Sequence, residues 1–129
     1  MVKDISAGKR LEYTQQISEK IQKLEDLKSE ERNIFQAIEK YQETMKQSFS
    51  NLQELNEELV NQGSRTAQMD MDANQEMLRF VRNMVDEQKE GVSETYSKLK
   101  KEVEDDIENL QHKRNALLWE EPKSGDRKE

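Results

Sequence analysis

The sequence predicts an all-α fold, a long antiparallel two-helix hairpin of coiled-coil character, and three observations carry that prediction. Two stretches of about fifty residues are rich in Gln, Glu, Lys and Leu, and the first, from Lys9 to Val60, holds no Gly or Pro. Apolar residues in both recur at steps of three, four or their sums, the period of an amphipathic helix. Around the break Asn61-Gln62-Gly63-Ser64 they match in mirror order: Leu59 with Met69, Leu55 with Met71, Phe49 with Leu78, Met45 with Val81, Tyr41 with Val85 and Phe35 with Val92. Farther out, Leu27 matches Leu99, Leu24 matches Val103, Ile21 matches Ile107 and Ile17 matches Leu110. In every pair the residue numbers add to between 126 and 128, as expected when two helices of equal rise run antiparallel from a turn near Gly63.

Taken in order, residues 1–9 read as a flexible lead-in, with Gly8 the last helix breaker before the first helix, 10–60. That helix places Ile17, Ile21, Leu24, Phe35, Ile38, Met45, Phe49, Leu52 and Leu59 at helical spacing. Eleven-residue intervals link Tyr13, Leu24 and Phe35, and again Leu27, Ile38, Phe49 and Val60, which suits nearly straight packing. Its weakest part is the polar run Lys28 to Asn33. The turn, 61–65, has Gly63 where a left-handed residue would end helix one. Ser64 or Thr66 would cap the second helix, 66–119, although Asp72 with Gln75 offers a later capping box. The outer half of helix two carries the heptad series Val92, Tyr96, Leu99, Val103, Ile107, Leu110 and Leu117, with Arg114 the one polar member. Gly91 weakens the middle of this helix, and Ser93 would cap a restart after a kink there. Pro122 is expected to stop the helix and leave 120–129 as a disordered tail.

Composition narrows the function. The net charge of −7 argues against nucleic acid, and the 21 basic residues are interleaved with 28 acidic ones, so no cationic stripe forms. The chain holds no cysteine, which excludes disulfides and thiolate chemistry. The longest apolar run, Ala116-Leu117-Leu118-Trp119, is far short of the ~20 residues that span a bilayer, and residues 1–8 lack a signal-peptide core. A cytoplasmic protein is expected, with any export using no cleaved signal. His112 is the only histidine; Glu108 four residues before it has metal-compatible spacing, but a solvated face is the expected reading. With no nucleophile–base pattern or phosphate-binding glycine loop, the chain is read as non-enzymatic, without cofactor or metal.

Partner contact is the expected role. Beside the row Leu78, Val81 and Val85 runs a second apolar row, Met77, Phe80 and Met84, and Tyr41, Leu55 and Val60 lie off the main stripe of helix one at similar depth. Apolar width beyond one seam implies a second contact, and methionines suit adaptable surfaces. These six, with Trp119 as a further anchor, are the expected partner-binding residues; the bland alternative is a wider internal core near the turn. A two-helix hairpin buries little, so it is expected to complete a bundle with another helical surface, a partner's or a second copy's.

The layout resembles the small helical partners of LXG-domain toxins in Gram-positive type VII secretion. The resemblance rests on two Gln/Glu/Lys-rich helices, the Gly-containing turn, and a second helix ending in Glu-Asp-Asp-Ile-Glu-Asn-Leu-Gln-His-Lys-Arg-Asn-Ala-Leu-Leu-Trp-Glu-Glu, residues 104–121. It implies a chaperone-like targeting factor that binds the helical N-terminal domain of a toxin, usually with a second small helical protein in the complex. The sequence departs from the related WXG pattern, since its turn reads Asn61-Gln62-Gly63. None of Tyr13, Tyr41 and Tyr96 is followed four residues later by Asp or Glu, so the Tyr-x-x-x-Asp/Glu export signal is missing. Phe35 with Glu39 only loosely matches the Phe-x-x-x-Asp motif of the other small partner. The resemblance therefore points to the member that lacks its own export signal and serves as a scaffold. The alternative is a self-associating cytoplasmic structural coiled coil.

Overall fold

The computed structural model describes the backbone of residues 6–126 and the side chains of residues 6–117. It consists of two helices, α1 (Ser6–Asn61) and α2 (Arg65–Asp126), packed antiparallel as a hairpin. No residue between the helix ends breaks either one. The polar run 28–33 is helical throughout, because Lys, Glu and Arg are good helix formers whatever face they occupy. α2 likewise passes through Gly91 without a restart at Ser93.

The ends differ from the expected ones. α1 begins at Ser6 and runs through Gly8, whose missing side chain faces open space and costs only the modest penalty of a helical glycine. α2 continues to Asp126, seven residues past Trp119, so residues 120–126 are helical and not tail. The helical backbone carries on through Pro122. The expectations for residues 1–5 and 127–129 lie outside the described residues.

The turn is built from three overlapping devices. Gly63 has φ +91°. Its N–H bonds Val60 O at 2.8 Å, and the Ser64 N–H reaches back to Leu59 O at 3.0 Å. Together these form the paired closure of a Schellman motif, with Gly63 as the left-handed residue. Ser64 then turns from the end of one helix to the start of the next, because its Oγ accepts the Ala67 N–H at 3.2 Å. That contact decides the cap in favour of Ser64 over Thr66 and the Asp72–Gln75 box.

The helices divide into two compact units, one of residues Met1–Glu30 and Thr95–Glu129, the other of residues Glu31–Glu94. In the first, Ile17, Leu27 and Val103 are buried, and the half-buried positions Arg10, Tyr13, Lys20 and Leu24 complete an alternation of three and four on α1. In the second, Ala67, Val81 and Val85 are buried, Val85 completely, and α1 contributes Phe35, Ile38, Gln42, Met45, Phe49 and Asn56 at the same alternation. Each unit thus keeps a heptad seam. The eleven-residue intervals read from the sequence are sums of these same steps, four, three and four from Tyr13 to Leu24 and again from Ile38 to Phe49.

Polar contacts between the helices fix the register, among them these. Lys20 Nζ meets Asp106 at 3.1 Å, the Tyr96 hydroxyl donates to Glu30 at 3.3 Å, Arg114 donates to Thr14 at 3.4 Å, and Lys89 pairs with Glu39 at 3.7 Å. The residue numbers of each pair add to 126 or 128, within the window read from the sequence.

Several seam occupants, however, are not the apolar residues expected. Ile21, Tyr41, Leu55, Leu59, Met69 and Leu99 are exposed, as is Leu52. Lys20, Gln42, Asn56 and Lys100 occupy inward positions next to Ile21, Tyr41, Leu55 and Leu99. Adjacent residues point about 100° apart on a helix, so the phase set by the majority overrides the preference of any one residue. Lysine stems cover apolar seam while their ammonium groups stay wet. No buried side-chain nitrogen or oxygen among the described residues lacks a partner.

Candidate protein-docking face

The exposed apolar residues of the Glu31–Glu94 unit gather on one side of it. Successive residues advance about 100° round a helix, and the exposed row on each helix lies roughly 80–110° from its seam. Because the helices run antiparallel, these two rotations bring both rows to the same side. On α1 the row reads Ile34, Ala37, Tyr41, Thr44, Ser48, Leu52, Leu55, Leu59 and Gln62. On α2 it reads Thr66, Asp70, Ala73, Met77, Phe80, Met84, Gln88 and Gly91, with Met69 at the edge.

Asp70 is the single charge in those two rows, in a chain whose residues are 38% charged. The opposite side of the unit carries Glu39, Glu43, Lys46 and Glu57 on α1 and Asp72, Arg79, Arg82 and Asp86 on α2, all exposed. The Lys89–Glu39 pair lies on that charged side. Large side chains on the uncharged side come in runs, Leu52, Leu55 and Leu59 on α1 and Met77, Phe80 and Met84 on α2, and in the register each run lies opposite smaller residues of the other helix, Asp70 and Ala73 or Thr44 and Ser48.

Phe80 is its centre, 62% exposed, and with Ala73, Glu76 and Met77 it borders a shallow hollow of about 460 Å³. Met77, Tyr41 and Leu55 are exposed on the same side, and Met84 is half-buried there. Of the expected contact residues, these five share the face. Val60 does not: it is half-buried at the inward position opposite Ala67 in the register and belongs to the seam. The side chain of Trp119 lies outside the described residues. Leu52 and Leu59 join the face although the sequence reading placed them in the core stripe. The signal for them was their phase with Leu55, since 52, 55 and 59 form one row of steps three and four.

Among its described residues, the other unit has no equivalent face. Its exposed Leu11 and Ile21 stand ten residues apart on α1 and Leu99 lies on α2, isolated surface apolar residues of the common kind.

Other clusters are solvated. His112 Nε2 sits 3.7 Å from Glu108 with both side chains exposed, and no group of three potential metal ligands occurs among the described residues. A second hollow of about 510 Å³ near the turn is lined by Asn51, Glu54, Leu55, Glu57, Glu58 and Asn61, residues of one helix surface open to water. Among the described residues, no helix is long and apolar enough to cross a membrane. No protein-family model, curated protein or solved structure matches this chain.

Proposed function

We propose that this chain is a non-enzymatic protein-binding factor that binds the helical N-terminal domain of an LXG-type toxin and helps target it to a type VII secretion machine. The observation that carries the reading is the uncharged, apolar side of the Glu31–Glu94 unit, with Phe80 at its centre. A contiguous exposed face of this kind is rare on a monomer that acts alone, and it marks protein contact. Helices packing onto it would complete the bundle that two helices leave half-built. The toxin as partner comes from the layout described above: paired Gln/Glu/Lys-rich helices, a Gly turn and the residue 104–121 segment. Binding takes place in the cytoplasm, before export, with a second small helical protein joining the complex.

Affinity purification of the full chain from the bacterium that makes it, with mass spectrometry of what co-purifies, tests this. Recovery of an LXG-type toxin supports the reading. Recovery of the bait alone, at twice its monomer mass, supports the second reading, a self-associating structural coiled coil that covers the same face with another copy.

A further inference from the structure

We infer that the uncharged face of the Glu31–Glu94 unit docks a pair of helices from another protein whose contact stripe is apolar and whose flanks are basic, and that it is not a contact between two copies of this chain. The inference rests on the proposed function only in taking the occupant to be protein.

Charge decides it. The Glu31–Glu94 unit holds thirteen Asp and Glu against seven Lys and Arg, so it carries −6 of the chain's net −7. Charges along the face have the same bias: Asp70 lies in it, and Glu54, Glu58, Glu76 and Glu87 stand beside its rows against Lys40 and Arg65. In a symmetric dimer the same patch meets itself, so two acidic rims would close on each other whichever way the second copy runs. Like charges set against each other at an interface disfavour that pairing and slow the encounter. A basic-flanked partner reverses both effects: its flanks pair with the rim while its apolar stripe enters between them, as in the charge-selected pairing of helices.

Size is consistent with one such partner. The face extends over about thirty residues, roughly 40 Å at ~1.5 Å per residue, and two helices side by side are ~20 Å across. That gives on the order of 800 Å², the share one protein contributes to an interface of standard size.

The experiment places p-benzoylphenylalanine at position 80 of the full chain in the cells that make it, irradiates them, and maps the attached peptide. Position 80 is exposed, so the replacement leaves the helices in place. The expected product joins residue 80 to an amphipathic helix of one other protein with net positive flanks, and Leu55→Asp removes it. With that protein purified, Phe80→Asp weakens binding at least ~30-fold, as for a central aromatic contact. The association rate falls at least ~tenfold between 0.05 M and 0.5 M salt as screening shortens the reach of the rim charges. A product with a second copy, a product with an acidic-flanked segment, no product, or an association rate indifferent to salt each overturns the inference. A basic helical partner that is not a toxin would sustain it and overturn the toxin reading; a toxin bound through another surface would do the reverse.

Discussion

Gly63 and Gly91 offer a direct measurement of what backbone conformation alone contributes to this hairpin. A Cβ added at either position would meet nothing within 4 Å, so Gly→Ala creates no clash and fills no cavity at either. The two differ in backbone: Gly63 has φ +91°, and Gly91 lies inside α2. At Gly63, alanine is forced into the left-handed region at a cost of ~1–2 kcal/mol, or gives up the bonds to Val60 O and Leu59 O that close α1. At Gly91, alanine removes the entropy cost of a helical glycine and stabilises by ~0.5–1 kcal/mol. The two single substitutions should therefore differ by ~1.5–3 kcal/mol, with opposite signs relative to the parent. Urea denaturation followed by far-ultraviolet circular dichroism measures both. Gly63→Asn should fall between parent and Gly63→Ala, since Asn tolerates the left-handed region. If Gly63→Ala were as stable as the parent, or if both alanine variants moved the same way, the assignment of the turn to a left-handed closure would be wrong.

Three further outcomes follow from the same structure. Ser64→Ala removes the acceptor for the Ala67 N–H and should cost ~0.5–2 kcal/mol in the same assay, whereas Thr66→Ala should change stability by less than ~0.5 kcal/mol. Val85→Ala, at a fully buried side chain, should cost ~2 kcal/mol through lost burial and the cavity left behind; a loss under ~0.5 kcal/mol would show that Val85 is not in a packed seam. Phe80→Asp should leave helicity and unfolding midpoint nearly unchanged, within ~0.5 kcal/mol, because the ring is exposed; a cooperative loss of structure would place Phe80 in the core and not on a docking face.

The hairpin was legible because it depends on features that survive averaging. Helical period, the absence of breakers and the mirror register each draw on dozens of residues, so single exceptions do not disturb them. The contacts Lys20–Asp106, Tyr96–Glu30, Lys89–Glu39 and Arg114–Thr14 fall in that same register. Gly63 was legible for a different reason, since one residue type dominates left-handed helix closures.

What the sequence could not determine was the rotation of each helix about its own axis. The apolar spacing puts Ile21, Leu59 and Leu99 in the seam, yet Lys20, Val60 and Lys100, one residue away, take the inward positions. A rotation of about 100° separates a core residue from a surface one, and only the packing of both helices together chooses between them. The same choice decided which apolar residues remained outside. Met77, Phe80, Tyr41 and Leu55 were recognisable as surplus to one seam, but that they share a side with Leu52 and Leu59, and that this side carries almost no charge, follows from setting two antiparallel phases against each other. Composition and period thus determined that two helices pair and where they turn, because each depends on local propensity and spacing. Tertiary packing decided which residues they bury and which face they leave for another protein, because burial depends on the joint orientation of two surfaces.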